Sequence, residues 1–263
     1  MIYELNHVGI VIRNLDKSLA FYEGVLGAKV VSRNIIPSTQ TDVVYLQITG
    51  GMIELLHRRE PAGNEVYGIT HIGFMTHDLD GDYQRLVDSG VEGVVKPKVA
   101  GSGVGRIAFV LDPNGARVEL LQRSPDYRTA AVPNSLIKSF DHYSLNANNL
   151  KAAMEFYHGK LGMKSLKTQR VEQRQLDMEY LNYDYDVLEL LHRPEPAPGP
   201  FFGHFALRVD SVESALKSLA ALGATPEAGS PKRAGTGLGN VGIVPDPDGV
   251  RVELVDRPDL RTL

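Results

Sequence analysis

Apolar and polar positions along the start of the chain predict one strand, one helix and three further strands. Residues 5–13 are rich in β-branched side chains, which favour a strand. Asn14 can then cap a helix on which Leu19, Tyr22 and Leu26 share one face. The helical pattern stops at a glycine, and the three strands that complete this β-α-β-β-β unit span residues 29–35, 42–48 and 52–57.

A second unit of the same kind follows at once. Residues 70–76 form the predicted strand, and residues 79–89 form a helix that Gly90 ends. The glycine-rich stretch 101–105 joins two strands, whereas a phosphate-binding loop would open a helix, so we interpret it as a simple connection. The remaining strands of this unit are predicted at residues 91–96, 106–111 and 116–122.

The turn before the last strand of this unit is written twice in the chain. Asp112-Pro113-Asn114-Gly115 has the composition of a hairpin turn, and Asp246-Pro247-Asp248-Gly249 repeats it near the C-terminus. In the strand after each turn, Glu119 or Glu253 points away from its immediate apolar neighbours because side chains alternate between faces. A carboxylate among apolar residues needs a partner, so we expect a metal, a cation or a proton-transfer role there.

The turn is one part of a much longer repeat. His142 lies 135 positions after His7, and Glu253 lies 134 positions after Glu119. A repeat of this length indicates duplication of a whole domain, unlike the short periods of solenoids. The predicted fold class is therefore α+β, with paired β-α-β-β-β units in two tandem modules. The predicted N-terminal module is 1–123, the Pro- and Asp-containing linker is 124–139, and the C-terminal module is 140–263.

Composition limits the possible partners. The chain has 263 residues, 43% of them hydrophobic, and a formal net charge of −4, which gives no basic field for nucleic acid or an anionic membrane. It contains no cysteine, so metal ligands must be His, Asp or Glu. The first residues lack a signal-peptide pattern, and no apolar run reaches membrane-spanning length. We expect a cytoplasmic monomer or homodimer with a small-molecule substrate and without nucleic-acid or membrane partners.

Each module carries two histidines and two glutamates at matching positions. Two imidazoles with two carboxylates suit a borderline divalent ion such as Fe, Mn, Ni, Co or Zn, whereas calcium would prefer oxygen ligands throughout. All four types recur although most flanking positions have diverged, which argues against chance. The sets are His7, Glu54, His71 and Glu119 in the N-terminal module, and His142, Glu189, His204 and Glu253 in the C-terminal module.

Other polar residues are weaker candidates. A His-Arg pair follows the fourth-strand glutamate in each module and could meet an anionic or oxygen-rich substrate, although a solvated strand end is an equal alternative. The loop 229–239 contains Lys232 and Arg233 and could close over a substrate, or could be an ordinary loop. Tyr22 and Tyr157 are expected to be packing residues. The two His-Arg pairs are His57-Arg58 and His192-Arg193.

The repeated motifs point to a known family. They are Asn6-His7-Val8-Gly9-Ile10, Phe21-Tyr22 to Leu26-Gly27, Glu54, His71-Ile72-Gly73, Asp112-Pro113 to Glu119, and their second-half partners. Together they resemble the vicinal oxygen chelate superfamily, which includes glyoxalase I, methylmalonyl-CoA epimerase, extradiol dioxygenases and fosfomycin or bleomycin resistance proteins. The resemblance implies curled sheets around a cup, with a metal on its floor that binds two adjacent substrate oxygens. It leaves open whether ligands come from one module or from both.

The resemblance also implies a reaction class. In glyoxalase I and the epimerase, a metal stabilises an enediolate while a glutamate moves a proton next to a carbonyl. By this comparison, Glu119 and Glu253 would be ligands that also act as the base, and Glu54 and Glu189 would be ligands or bases on the opposite face. The expected activity is that of a divalent-metal-dependent lyase, isomerase or epimerase acting on a small α-oxygenated carbonyl compound.

Two alternatives remain open within the superfamily. An extradiol-type Fe(II) ring-cleaving dioxygenase would use His142, His204 and Glu253. A resistance-type protein would only sequester a ligand, which requires no metal. Glyoxalase I usually carries an arginine for glutathione on the first strand, where this chain has Val11 and Asn146.

Overall fold

The strands and helices of each half follow the predicted order. The computed structural model describes residues 1–124, 126–195 and 201–262. The N-terminal elements are β1 Ile2–Val11, α1 Leu15–Leu19, β2 Lys29–Ile36, β3 Thr41–Ile48, β4 Gly51–Arg58, β5 Gly68–Thr76, α2 Leu79–Asp88, β6 Gly93–Val99, β7 Arg106–Leu111 and β8 Arg117–Gln122. The C-terminal elements are β9 Ile137–Asn146, α3 Leu150–Met154, β10 Lys164–Val171, β11 Leu176–Tyr183, β12 Asp186–His192, β13 Phe202–Val209, α4 Val212–Ala221, β14 Lys232–Arg233, β15 Asn240–Pro245 and β16 Arg251–Val255.

The first helix of each half departs from a regular α-helix. Asn14 caps α1 as predicted, because its side chain accepts a 2.9 Å hydrogen bond from Lys17 N. After one turn the helix widens into the π-helical segment Ala20–Val25, and Glu155–Lys160 repeats this after α3. The helix ends at Gly27, whose φ of 67° favours glycine. Among the described residues, no helix is both long and apolar enough to cross a membrane.

Each half forms one eight-stranded mixed sheet that stays open. The strand order is β2-β3-β4-β1-β5-β8-β7-β6, and the second sheet repeats it as β10-β11-β12-β9-β13-β16-β15-β14. The sheets curl so that their two ends come close without pairing as strands: a Cβ on Gly101, after β6, would lie 2.8 Å from Ile36 at the end of β2. Gly235 and Val171 make the same approach in the second sheet. The predicted α+β class with tandem paired units is confirmed.

The two faces of each sheet have different roles. Val118 and Leu120 are fully buried in a core that both halves share, while Glu119 between them points into the concave side. The rings of Tyr22 and Phe205, which come from different halves, lie 6.5 Å apart within this core. The alternation along one strand therefore separates the structural face from the face that can carry chemistry.

The repeated turns lock the two halves together. Tyr22 Oη donates a 2.8 Å hydrogen bond to Asp246 Oδ2, and Tyr157 Oη donates a 3.2 Å bond to Asp112 Oδ2. Both tyrosines are fully buried, as expected of packing residues. Burial raises the pKa of both aspartates, although backbone amides of their own turns also donate to them. Each turn thus closes its own hairpin and also binds the opposite half.

The predicted linker lies against both halves. Arg128 donates to Gly50 O at 2.5 Å and to Asn6 O at 3.1 Å, and it forms ion pairs with Glu4 at 3.0 Å and Asp186 at 3.1 Å. Strand β9 begins at residue 137, so the last three residues of the predicted linker are part of the second sheet. The connection is consequently part of the packed structure.

Replacing either locking tyrosine by phenylalanine should destabilise the protein. Tyr22→Phe or Tyr157→Phe removes one donor from a buried aspartate, so we expect each to lower the free energy of unfolding by about 1–3 kcal/mol. Urea denaturation measures this change. Tyr185→Phe is the control because Tyr185 is 79% exposed. If all three variants unfolded at the same urea concentration, the two tyrosine–aspartate hydrogen bonds between the halves would contribute nothing to stability.

Candidate metal centres

The four predicted ligands of each half come from four adjacent strands. In the first sheet these are β4, β1, β5 and β8, which are neighbours although they are distant in sequence. Strand β1 pairs in parallel with β4 and in antiparallel with β5, and β5 pairs in parallel with β8. This order brings the side chains to one place on the concave face. Across the first sheet they are Glu54, His7, His71 and Glu119.

Glycines make room for the two imidazoles of the N-terminal set. His7 lies opposite Gly73, and His71 lies opposite Gly9. A Cβ on Gly73 would be 2.3 Å from the His7 ring, and a Cβ on Gly9 would be 1.9 Å from the His71 ring. Such distances are impossible for a side chain, so each ring occupies the space that a glycine leaves empty.

The N-terminal set forms a tight cluster. His7 Nε2 lies 3.6 Å from Glu54 Oε2 and 3.4 Å from Glu119 Oε2. His71 Nε2 lies 3.2 Å and 3.5 Å from the same two oxygens. Four potential ligand atoms, one from each residue, lie within 4.8 Å of one another. Both Nε2 atoms and Glu119 Oε2 are buried and lack a hydrogen-bond partner among the described residues.

This geometry fits a divalent cation. Ions such as zinc bind imidazole nitrogen and carboxylate oxygen at about 2.0–2.2 Å, so neighbouring ligand atoms are about 3–4 Å apart. The observed separations of 3.2–3.6 Å fall in that range. Buried polar atoms without partners are costly, and a shared cation would satisfy them together.

The C-terminal set is similar but more open. His142 Nε2 lies 3.2 Å from His204 Nε2 and 3.3 Å from Glu189 Oε2, and the three residues form a compact cluster. Glu253 lies outside that cluster, with its Oε2 atom 2.8 Å from His204 Nε2. Its side chain is 16% exposed, against 7% for Glu119. Glu253 is therefore the most exposed of the four predicted glutamate ligands.

A difference in small residues accompanies this opening. Where the N-terminal half has Gly9 and Gly73, the C-terminal half has Ser144 opposite His204 and Ala206 opposite His142. Both replacements add side-chain atoms on the face that carries the imidazoles. His204 is 12% exposed, twice the value of His71. The two copies of the site have thus diverged at the positions that set how deeply the rings lie.

Electrostatics favour charged groups in both clusters. Burial alone would lower the pKa of His71 and His142, but neighbouring carboxylates outweigh it. Glu119 and Glu54 raise the pKa of His71 to about 9, and Glu189 and Asp141 raise that of His142 to about 10. Burial alone would raise the pKa of Glu189, yet His142 and His204 hold the pKa of that carboxyl well below its usual value. The glutamates are therefore ionised at neutral pH, as metal ligands must be.

A pair of tyrosines was missed in the sequence. Tyr180 Oη donates a 2.7 Å hydrogen bond to Glu189 Oε1, and Tyr45 pairs in register with Glu54. Burial, strengthened by Glu189, raises the pKa of Tyr180 well above its usual value, so the phenol stays a donor. Tyr180 lies 135 positions after Tyr45, which is the offset of the ligands. That shared offset was the signal available in the sequence.

A cavity of about 650 Å³ opens onto the C-terminal centre. His142, Glu189, His204 and Glu253 all line it. Its wall is not confined to the C-terminal half, because residues 66–69 of the N-terminal half also line it. The loop 229–239, for which the sequence left open a substrate-closing role or an ordinary connection, forms part of this wall through Lys232.

The N-terminal centre is covered by larger side chains. Phe109 pairs with Glu119 at the position that Ile243 holds beside Glu253. Its ring centroid lies 5.6 Å from that of His71, and Arg117 lies over the same Phe109 ring at 4.6 Å. None of the four ligand side chains in this half is more than 8% exposed. The N-terminal ligands are thus deeply buried, whereas the cavity described above opens onto the C-terminal ligands.

The four predicted substrate residues are in different environments. Arg193 lines the cavity. His192 Nδ1 contacts Ala147 O at 2.8 Å, and His57 Nδ1 contacts Asp42 Oδ2 at 3.2 Å. Arg58 lies 3.7 Å from Glu65. The structure brings seven of the eight predicted ligands into two compact clusters and places the eighth, Glu253, beside His204. Of the four predicted substrate residues, Arg193 lines the cavity.

Comparison with known proteins agrees with this architecture. The family model described as the glyoxalase/bleomycin resistance protein/dioxygenase superfamily matches residues 4–120 and again residues 139–254. The chain belongs to this superfamily. The resemblance inferred from the repeated motifs is confirmed, and the two matches coincide with the two sheets.

Curated members of the superfamily match nearly the whole chain. A lactoylglutathione lyase from Schizosaccharomyces pombe is 25% identical over 97% of this chain and 97% of its own length. A glyoxalase I from Saccharomyces cerevisiae is 24% identical over 95% and 91%. A lactoylglutathione lyase from Escherichia coli O157:H7 is 31% identical but covers 45% of this chain, while 92% of its own length matches. That relative corresponds in length to a single module.

Solved structures share the fold. A Mn(II)-bound glyoxalase from Novosphingobium aromaticivorans superposes with a TM-score of 0.70 at 18% identity, covering 98% of this chain and 84% of that one. The 2,3-dioxygenase LapB from Pseudomonas sp. KL28 gives 0.68 at 18% identity, covering 96% and 91%. Glyoxalases and dioxygenases fit about equally well, so the superposition supports the architecture and not a particular reaction.

Filling the space beside one imidazole should remove one centre selectively. Gly73→Ala places a Cβ where the His7 ring lies, so we expect the bound divalent metal to fall from two ions per chain to one. Elemental analysis after dialysis measures this. Ala206→Gly, at the matching position of the C-terminal half, is the control and should retain two ions. Two ions in Gly73→Ala would contradict the assigned N-terminal centre.

Metal binding should release protons. His71 and His142 have pKa values of about 9 and about 10 in the metal-free protein, so both are protonated at pH 7. A ligand imidazole must be neutral, so each centre should release about one proton on binding, and affinity should rise with pH up to these values. Calorimetric titration in buffers of different ionisation enthalpy measures the release. A binding enthalpy independent of buffer would refute the proposed ligand roles.

Proposed function

We propose that this chain is a divalent-metal-dependent lyase of the glyoxalase I type, with its active site in the C-terminal cup. The cavity that opens onto His204 and Glu253 carries this proposal, because a substrate can reach ligands only where there is space. The lactoylglutathione lyases that match both halves support the reaction class. The ligands proposed are His142, Glu189, His204 and Glu253 here, and His7, Glu54, His71 and Glu119 in the covered N-terminal centre.

The two glutamates of the active cup have separable roles. Tyr180 holds Glu189 by a 2.7 Å hydrogen bond, so Glu189 is suited to a fixed ligand position. Glu253 contacts His204 and is the more exposed of the two carboxylates. Burial alone would raise the pKa of Glu253, but His204 lowers it, so the carboxylate is ionised and can accept a proton. Glu253 is the proposed base.

The reaction proposed is proton transfer on a small α-oxygenated carbonyl compound. A bound divalent ion would supply Lewis-acid polarisation of two adjacent substrate oxygens. Glu253 then removes the proton from the carbon next to the carbonyl and returns it to the neighbouring carbon. Apolar side chains of Leu176, Met178 and Leu191 form part of the cavity wall.

The cavity wall also indicates the charge of the substrate. Arg174, Arg193 and Lys232 line it and have no ion pair among the described residues, whereas Arg251 and Arg257 in the same wall pair with Glu227 and Asp141. The acidic residues of the wall are the proposed ligands Glu189 and Glu253, and Asp248, which pairs with Arg13. Three unpaired cations attract an anionic group more strongly than a neutral one. We therefore propose a substrate that bears at least one carboxylate remote from the reacting carbons.

Ring-cleaving dioxygenase activity is the second candidate. His142, His204 and Glu189 form a compact set of two histidines and one carboxylate, which is the ligand set of non-haem Fe(II) oxygenases. The carboxylate in this set is Glu189, while Glu253 was the one expected from the sequence. The curated relatives favour the lyase.

The base assignment predicts unequal effects of matched substitutions. Glu253→Gln should lower kcat by about 10²–10⁴-fold, the usual effect of losing a general base. Glu119→Gln changes the equivalent residue of the covered centre and should lower kcat far less. The assay follows thioester formation from methylglyoxal and glutathione, or from methylglyoxal and a smaller thiol, with metal content measured in parallel.

Three outcomes would overturn the proposal in different ways. A larger loss in Glu119→Gln than in Glu253→Gln would place catalysis in the N-terminal cup. Stoichiometric iron with oxygen uptake on a catechol would favour the dioxygenase. Absence of both bound metal and turnover would leave a sequestering protein. Incorporation of solvent deuterium at the product α-carbon without oxygen uptake is the expected result.

Other expectations about the whole protein stay predictions. These are the module boundaries at residues 123 and 140, the state of monomer or homodimer, the cytoplasmic location and the lack of nucleic-acid or membrane partners. The net charge of −4 is the observation that supports the last of these.

A further inference from the structure

In each centre, the histidine on the first strand has its Nδ1 atom hydrogen-bonded to the side chain of the residue that precedes it. Asp141 Oδ1 lies 2.7 Å from His142 Nδ1, and Asn6 Oδ1 lies 3.0 Å from His7 Nδ1. Both bonds leave Nε2 as the ring atom that faces the cluster. The two centres therefore have the same ligand types but differ in the group that contacts the first-strand histidine. This group is a carboxylate, Asp141, in the C-terminal half and an amide, Asn6, in the N-terminal half.

A β-bulge explains how adjacent residues reach each other. Neighbouring side chains on a strand normally point to opposite faces. In the β1–β5 pairing Leu5 and His7 have consecutive partners on β5, so Asn6 is the extra residue. In the β9–β13 pairing Asp141 is the extra residue in the same way. A bulge changes the direction of a side chain, and here it turns both residues toward the following imidazole.

Each of these residues is itself fixed. Arg257 donates a 2.5 Å hydrogen bond to Asp141 Oδ1, and Arg123 donates a 3.0 Å bond to Asn6 Oδ1. Asn6 Nδ2 also donates to Glu4 Oε1 at 2.6 Å, which orients the amide with its oxygen toward His7. Asp141 and Asn6 are 3% and 0% exposed, so water cannot substitute for them.

We propose that Asp141 is a positioning residue that strengthens divalent-ion binding at the C-terminal centre, so that this centre fills before the N-terminal one. A carboxylate that accepts the Nδ1 proton fixes the ring and makes Nε2 a stronger electron donor, and it adds a negative charge near the cation. Asn6 can fix the His7 ring but carries no charge. The centre that faces the cavity thus retains its ion when metal is scarce.

This inference depends on the proposed metal centres and extends them. The experiment titrates the metal-free full-length protein with Co²⁺ and Zn²⁺ against a chromophoric chelator. It compares wild type, Asp141→Asn, Asn6→Asp and the double exchange. His71→Ala, which removes one ligand of the N-terminal centre, identifies which binding step belongs to which half. Thermal unfolding of each metal-free variant separates ion binding from folding.

The expected result is an exchange of affinities. Loss of a carboxylate that hydrogen-bonds a ligand histidine typically lowers metal affinity 10–100-fold. Asp141→Asn should therefore weaken metal binding at the C-terminal centre, the tighter of the two, by that factor. Asn6→Asp should strengthen the weaker step, and the double exchange should reverse the order of filling. A residue with only a structural role would not produce the gain in Asn6→Asp, and this variant remains informative if Asp141→Asn fails to fold.

Two results would overturn the inference. One is unchanged binding constants in both single variants. The other is a wild-type protein whose N-terminal centre fills first. Neither result would affect the proposed reaction. If neither centre of the wild-type protein bound Co²⁺ or Zn²⁺ at all, the proposed metal-dependent function would fail and this inference would fail with it.

Discussion

The structure depends on one electrostatic constraint: in each half, two ionised glutamates lie beside two imidazoles. Burying a carboxylate is costly unless an opposite charge or donors compensate for it. In the N-terminal cluster the compensation is mutual, since each Nε2 lies within 3.2–3.6 Å of both glutamates. Several of these atoms still lack hydrogen bonds among the described residues, which is the feature that a shared cation would correct. The central four strands keep this arrangement on a concave face away from the core.

The duplicated halves keep the same ligands but differ around them. Gly9 and Gly73 allow the N-terminal rings to lie deep, whereas Ser144 and Ala206 accompany the more exposed His204. Phe109 occupies the position beside Glu119 that corresponds to Ile243 beside Glu253. After duplication, such small changes can leave one centre covered and the other open to a cavity, while the fold of the two halves stays the same.

The halves are also joined so that each contributes to the other. The tyrosine hydroxyls of Tyr22 and Tyr157 each bind the turn of the opposite half. Arg13 donates to Asp248 Oδ1 at 2.9 Å and lies 4.0 Å over the ring of Tyr67, a cavity residue from the N-terminal half. The N-terminal half therefore contributes to the cavity wall of the C-terminal centre, although its own ligand cluster is covered.

The sequence by itself determined the units, the turns, the duplication and the two repeated sets of two histidines and two glutamates, because these depend on local periodicity and on repetition at a nearly constant offset. The sequence did not predict the π-helical turns, since local patterns do not register how a helix widens under tertiary packing. It also assigned residues 137–139, the first three residues of β9, to the linker. Tertiary structure alone decided that each cluster is completed within one half, since strand order places β4, β1, β5 and β8 side by side. It also decided that one cup is open and that Asp141 and Asn6 turn toward their neighbours, because cavities and bulges arise from strand pairing between residues far apart in the chain.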